Sequence, residues 1–192
     1  LGDVYKRQGV QTKVYKPSEF HRQNANPIGN QTHFIAGDKD GNVFFDSDQS
    51  LIRYDIQTQK FSCLRKSNVY TVASIKGTIW VGIADSILTW NPDKNDFDFV
   101  TRLENRNQRA TCLLEDSGGR YWIGTTDGLF KMNDDKSLTC MIMGEDIYDL
   151  YEDSKYNLWI SIRMNGMYKR DVHGNFTRYR YDPSNPNNIS SN

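Results

Sequence analysis

Glu115-Asp116-Ser117-Gly118-Gly119-Arg120-Tyr121-Trp122-Ile123-Gly124-Thr125-Thr126 is the stretch that decides the fold. It reads as a polar turn running into a short strand with a tryptophan at its centre. Asp116 can bond its own backbone two residues on, and glycine supplies the positive φ that a tight hairpin turn demands. From Arg120 to Gly124 the residues alternate, with Tyr121 and Ile123 on one face of a strand and Trp122 on the other. Gly124 omits a side chain where another element is expected to pack close.

The same hairpin occurs four times. Aligned on the aromatic anchor, the other copies are D-K-D-G-N-V-F-F at 38–45, S-I-K-G-T-I-W-V-G at 74–82 and D-S-K-Y-N-L-W-I at 153–160. The anchors Phe44, Trp80, Trp122 and Trp159 lie 36, 42 and 37 residues apart. A second apolar strand follows each anchor, at 51–55, 87–91, 129–133 and 167–171. After a polar turn comes a last strand, near Phe61, Phe97, Leu138 and Phe176. Four short strands in roughly 40 residues are the period and content of a β-propeller blade. The expected fold is all-β, a β-propeller fragment of about four four-stranded blades.

The repeat drifts in places. Gly41, Gly77 and Gly119 stand at the turn, whereas the fourth copy has Tyr156 there. Gly82 and Gly124 follow their anchors by two residues, where the first copy has Asp46 and the fourth Ser161. Ser74 replaces the turn aspartate of the second copy. Such drift suits stacked units that each need only enough apolar surface for their neighbours.

The repeats tile the chain as blade 1 at 32–67, blade 2 with its connector at 68–108, blade 3 at 109–145 and blade 4 at 146–181. Residues 1–8 fit poorly and read as non-native or frayed sequence. Residues 9–31 read as the end of a preceding blade and a connector, and 182–192 as a connector into a next blade. The chain does not begin with Met and carries no apolar leader, so it is expected to be an internal fragment. Its 24 basic and 24 acidic residues cancel, which leaves no electrostatic case for nucleic acid. No apolar run approaches the roughly 20 residues that cross a bilayer.

Candidate sites are few. Asp38 to Asn42 resembles a calcium loop, but Val43 and Gln49 stand where an EF-hand needs glycine and glutamate, so it reads as a turn. His21, His33 and His173 have no ligand spacing to one another or to Cys63, Cys112 and Cys140. No nucleophile elbow, phosphate loop or zinc motif occurs. Neither a metal, a cofactor nor a catalytic residue is expected. An acid pair assembled from distant blades, as in a glycan-acting hydrolase, remains an alternative, as does a lyase or a protein-interaction scaffold. The anchors read as core between blades, and Trp90 is expected to be partly exposed. The loops joining second to third strands and blade to blade should share one face, beside the starts of the innermost strands near His33, Tyr70, Arg109 and Asp146. Asp48, Arg106, Asp127, Arg163 and Asn165 on those loops, with Arg109, are the candidate ligand-binding residues.

The pattern D-x-x-G-x-x-W-I-G-T-x-x-G-L resembles the two-component regulator propeller repeat. Blade 3 matches through Asp116, Gly119, Trp122, Ile123, Gly124, Thr125, Gly128 and Leu129, and the terminal 181–192 looks like that family's connector between blades. The resemblance covers about 32–192. It implies seven-bladed propellers in the periplasm, outside the inner membrane, followed by an immunoglobulin-like domain, a membrane helix and a histidine kinase. It further implies an oligosaccharide ligand, a homodimer when full length and a sensory, non-catalytic role for this region.

Overall fold

The computed structural model describes residues 6–7, 10–11, 31–105, 107–182 and 184. Arg106 and most of the expected preceding blade and terminal connector lie outside them. A two-residue ladder pairs β1 (Lys6–Arg7) with β2 (Val10–Gln11). Blade 1 comprises β3 (Ile35–Gly37), β4 (Val43–Ser47), β5 (Ser50–Asp55) and β6 (Lys60–Arg65). Blade 2 comprises β7 (Val69–Ile75), β8 (Thr78–Ile83), β9 (Ser86–Asn91) and β10 (Asp96–Arg102). Blade 3 follows with β11 (Ala110–Glu115), β12 (Tyr121–Thr125), β13 (Gly128–Met132) and β14 (Leu138–Met143). Blade 4 is β15 (Ile147–Glu152), β16 (Leu158–Ile162), β17 (Met167–Arg170) and β18 (Phe176–Tyr179). Every blade is an antiparallel sheet with its strands in chain order, and no helix occurs among the described residues. The protein is the all-β propeller fragment that the repeat predicts.

The anchors occupy one register. Phe44 pairs with Ala36 and Arg53, Trp80 with Ala73 and Thr89, Trp122 with Leu114 and Lys131, and Trp159 with Tyr151 and Lys169. Alternation along the second strand then sorts side chains between the two flanking blades. Phe44 and Leu51 meet Val72, Ile79 and Val81 of blade 2. Trp80 and Ile87 meet Ile123 and Phe130 of blade 3, where Tyr121 stacks on Trp80 with ring centres 5.0 Å apart. Trp122 and Leu129 meet Ile147, Leu158 and Ile160 of blade 4. Trp122 is 1% exposed, whereas Trp159 is half-buried, since no further blade covers that face among the described residues.

Trp90 departs from expectation. It is 6% exposed, with its ring held edge-on by Phe44 at 5.3 Å and Phe97 at 5.1 Å. The Arg53 guanidinium covers it at 5.4 Å. Its place in β9 faces blade 1, so the third strand contributes to the seam between blades as the second does.

The turn aspartate has two duties. Asp116 Oδ1 accepts the Gly118 and Arg120 amides, and Oδ2 accepts the Trp122 indole N–H at 2.8 Å. Asp153 repeats this with the Lys155 and Asn157 amides and the Trp159 indole, also at 2.8 Å. Asp38 ties its own turn together through Asp40 and Asn42, which accounts for the calcium-like string. At the glycine after the anchor, a Cβ on Gly124 would lie 2.3 Å from Cys112 Sγ and 2.7 Å from Ile147 Cγ2. The first strand of the next blade passes through that space.

Two backbone substitutions follow. Tyr156 takes the turn position with φ 62°, where Gly41, Gly77 and Gly119 have φ 86°, 76° and 76°. A left-handed non-glycine residue is strained, so Tyr156→Gly should raise stability by about 1 kcal/mol in chemical denaturation. Gly124→Ala should lower it by about 1–3 kcal/mol through overpacking.

Acid sensitivity follows from the indole bonds. The Asp153 carboxylate is held below the ordinary range, first by the Trp159 indole and then by Asn157. At Asp116 burial pushes the other way, but the Trp122 indole and Arg120 outweigh it and leave the carboxyl lowered. Folded values below unfolded ones give stability that is complete above the unfolded value, near pH 4, and is lost as pH falls through the folded values. The melting temperature should therefore drop below about pH 4. Asp116→Ala, which strands a buried indole N–H, should cost about 2 kcal/mol at neutral pH.

Candidate functional site

The facing of an innermost-strand side chain changes where the ladder to the second strand slips. It slips in three consecutive blades. The register between first and second strands shifts between Val69 and Thr71, between Ala110 and Cys112, and between Ile147 and Asp149. Tyr70, Thr111 and Tyr148 are the extra residues, and a bulge re-aims the side chain it carries. All three line one open concavity of about 820 Å³ against the inner strands. In blade 1 the same register position belongs to His33, because Phe34 stands opposite Asp46 as Thr71 stands opposite Gly82. His33 lines the concavity too.

Two arginines close over this row. The Arg109 guanidinium lies over the Tyr70 ring at 5.1 Å, and its Nη1 donates to the Gln108 carbonyl at 2.8 Å. The Arg163 guanidinium lies over Tyr148, also at 5.1 Å, with Nε donating to Asp146 Oδ2 at 2.9 Å. A guanidinium resting on an aromatic face has its donors fixed in the plane of the fork. Arg163 and Arg109 thus come together in the concavity, with Asp149 as the carboxylate beside them.

The remaining candidates sit apart. Asp48, Asp127 and Asn165 do not line the concavity. Asp48 is exposed in the β4–β5 turn at φ 47°. Asp127 is exposed in the β12–β13 turn, where its amide donates to Thr125 Oγ1. Asn165 donates to Glu145 Oε2 at 2.7 Å and accepts from Arg180. Arg106 is outside the described residues. Tyr148 and Thr111 escaped the sequence reading as site residues, although they stand 11 residues before their anchors, as His33 does, and Tyr70 stands 10 before its own.

Asp46 gives blade 1 a buried carboxylate two residues after its anchor, where the other blades have glycine or serine. It is 2% exposed and occupies the position of Gly82, Gly124 and Ser161. Its Oδ1 accepts the His33 and Phe34 amides at 2.7 and 2.6 Å, and its Oδ2 lies 2.9 Å from His33 Nδ1. Cys112, also in the lining, has its thiol pushed up to about 12 by burial, so it remains a thiol at neutral pH. Among the described residues no group of three His, Cys, Asp or Glu side chains could hold a metal ion. No described helix is long and apolar enough to cross a membrane.

Comparison with known proteins agrees with this architecture. The extracellular domain of the hybrid two component system BT4673 from B. thetaiotaomicron superposes with a TM-score of 0.73 at 19% identity, over 88% of this chain and 25% of that one. That of BT3049 from the same organism gives 0.69 at 20% identity, over 85% and 23%. Virginiamycin B lyase from Staphylococcus aureus gives 0.63 at 16% identity, over 80% and 58%. At such identities the likeness is one of fold. The chain spans about a quarter of the length of the two-component extracellular domains it matches. No curated protein is significantly similar in sequence. The model of the two component regulator propeller matches residues 106–127, the connector and first hairpin of blade 3. The chain carries a two-component regulator propeller repeat within an all-β propeller fragment.

Proposed function

We propose that this chain is a ligand-binding segment of a sensory propeller that takes an oligosaccharide in the inner-strand concavity and passes the event to signalling domains of the same protein. One observation carries the reading. Four successive blades contribute inner-strand residues to a single concavity, and two arginines rest on tyrosines among them. Aromatic faces flanked by fixed donors match the alternating apolar faces and hydroxyl rims of sugars. The family match and the fold shared with two-component extracellular domains favour a sensor over an enzyme. They are also the ground for placing this region outside the cytoplasm; the homodimer is expected from the resemblance of the repeat alone.

Each blade is a stiff packed unit, so a ligand spanning several blades acts by favouring one arrangement of blades or protomers over another. A lyase is the second reading, favoured by the His33 ring that Asp46 holds at the concavity and by the fold shared with virginiamycin B lyase. Turnover separates the two: a sensor leaves an oligosaccharide intact on long incubation, and a lyase yields an unsaturated product.

The proposal is tested by calorimetry with maltotetraose, xylotetraose, mannotetraose and tri-galacturonate. At least one should bind. Arg163→Ala should weaken it by roughly 10- to 100-fold, as expected for the loss of charged hydrogen bonds. Asp127→Ala, outside the concavity, should change affinity by less than about threefold. Equal losses in the two variants would place the binding face on the loops instead.

A further inference from the structure

Asp46 and His33 set blade 1 apart from the other three. In blades 2 and 3 the position of Asp46 is glycine, with the next blade's first strand packed over it. A carboxylate there is taken out of water and needs partners. It has three. Oδ1 takes two backbone amides of the chain leading into β3, and Oδ2 faces His33 Nδ1. The two amides alone would staple the chain; the third contact fixes the ring.

An ionised carboxylate only accepts hydrogen bonds, so Nδ1 must carry the proton in that contact. In the neutral ring Nε2 is then left as a lone pair, and the second nitrogen's role is set by the first. The His33 side chain is 62% exposed while that of Asp46 is 3% exposed, so the buried partner orients and the exposed ring presents. His33 lines the concavity at the register position that Tyr70, Thr111 and Tyr148 fill in the other blades. Arg109 and Arg163 line the same space.

Resting on the reading of the concavity as an oligosaccharide site, we propose that His33 is its specificity-determining acceptor. Asp46 holds the ring as the Nδ1–H form, and Nε2 accepts a hydrogen bond from a sugar hydroxyl. The concavity is then bipolar. Arginine donors at blades 3 and 4 take sugar oxygens, and the imidazole at blade 1 takes a hydroxyl proton, which orients the saccharide along the row.

Asp46→Asn separates this role from a structural one. The amide oxygen can keep both backbone amides, while Nδ2 replaces Oδ2 and donates to Nδ1. The ring must then carry its proton on Nε2, and an acceptor becomes a donor without a change of shape. Nitrogen NMR of the neutral ring in the whole protein reads the proton's position, and calorimetry with the four oligosaccharides named above reads affinity. The expected result is Nδ1–H in the parent, Nε2–H in Asp46→Asn, an unchanged fold by circular dichroism, and at least a fivefold loss for the oligosaccharide bound most tightly. His33→Phe, which keeps a ring but no acceptor, should lose as much. Parent-like affinity in Asp46→Asn with the proton moved to Nε2 would overturn the inference and leave the binding site standing, as would an Nε2–H ring in the parent. Failure of all four oligosaccharides to bind the parent would overturn both.

Discussion

The hydrogen bond from a tryptophan indole to an aspartate six residues earlier, Trp122 to Asp116 and Trp159 to Asp153, is the contact on which blades 3 and 4 depend. One carboxylate closes the turn through its backbone amides and fixes the ring edge of the strand that leaves the turn. With the ring directed to the following blade, the period of the strand sends its neighbours Tyr121 and Ile123 to the preceding blade. Blades 1 and 2 lack the pair, with Phe44 as anchor in one and Ser74 at the turn in the other. There aromatic packing substitutes, through Phe44 against Trp90 and Trp80 against Tyr121.

The site is a consequence of that stacking. Close approach of successive first strands requires the absence of a side chain at Gly82 and Gly124, where added Cβ atoms would meet Ala110 at 2.9 Å and Ile147 Cγ2 at 2.7 Å. In blades 2 to 4 the bulge in the first strand re-aims one side chain toward the concavity. The scaffold therefore repeats, while the residue at this register position varies: His33 in blade 1, Thr111 in blade 3, and tyrosine at 70 and 148. A surface of that kind can change its ligand without changing its core.

Turns and anchors were legible in the sequence because their chemistry is local. An aspartate, a glycine and an aromatic within seven residues state a hairpin wherever they occur, and their recurrence states the propeller. Bulges are not legible in this way, since one extra residue leaves no mark on composition or alternation. Tyr148 and Thr111 therefore read as ordinary inner-strand positions, whereas the polar loop residues Asp48, Asp127 and Asn165 stand out in the sequence but do not line the concavity. Arg109, at the start of an inner strand, and Arg163, on a loop between second and third strands, line the concavity over the rings of Tyr70 and Tyr148. Asp46 read as drift from glycine, although its burial and three amide and imidazole contacts make it the most specialised residue of blade 1. Trp90 reads as partly exposed because it stands outside the series of anchors, but its contacts with Phe44 and Phe97 give the third strand a part in the seam.

The central claim is that ligand is taken up along the row of inner-strand positions rather than at the hairpin turns on the other side of each blade. Hydrogen–deuterium exchange with and without the four oligosaccharides tests it across the whole chain at once. The account predicts slowed exchange in 32–36, 69–72, 109–113 and 146–150 together, since a saccharide spanning the concavity contacts several blades. Protection confined to 38–42, 76–78, 116–120 and 153–157, with the inner strands unchanged, would contradict it.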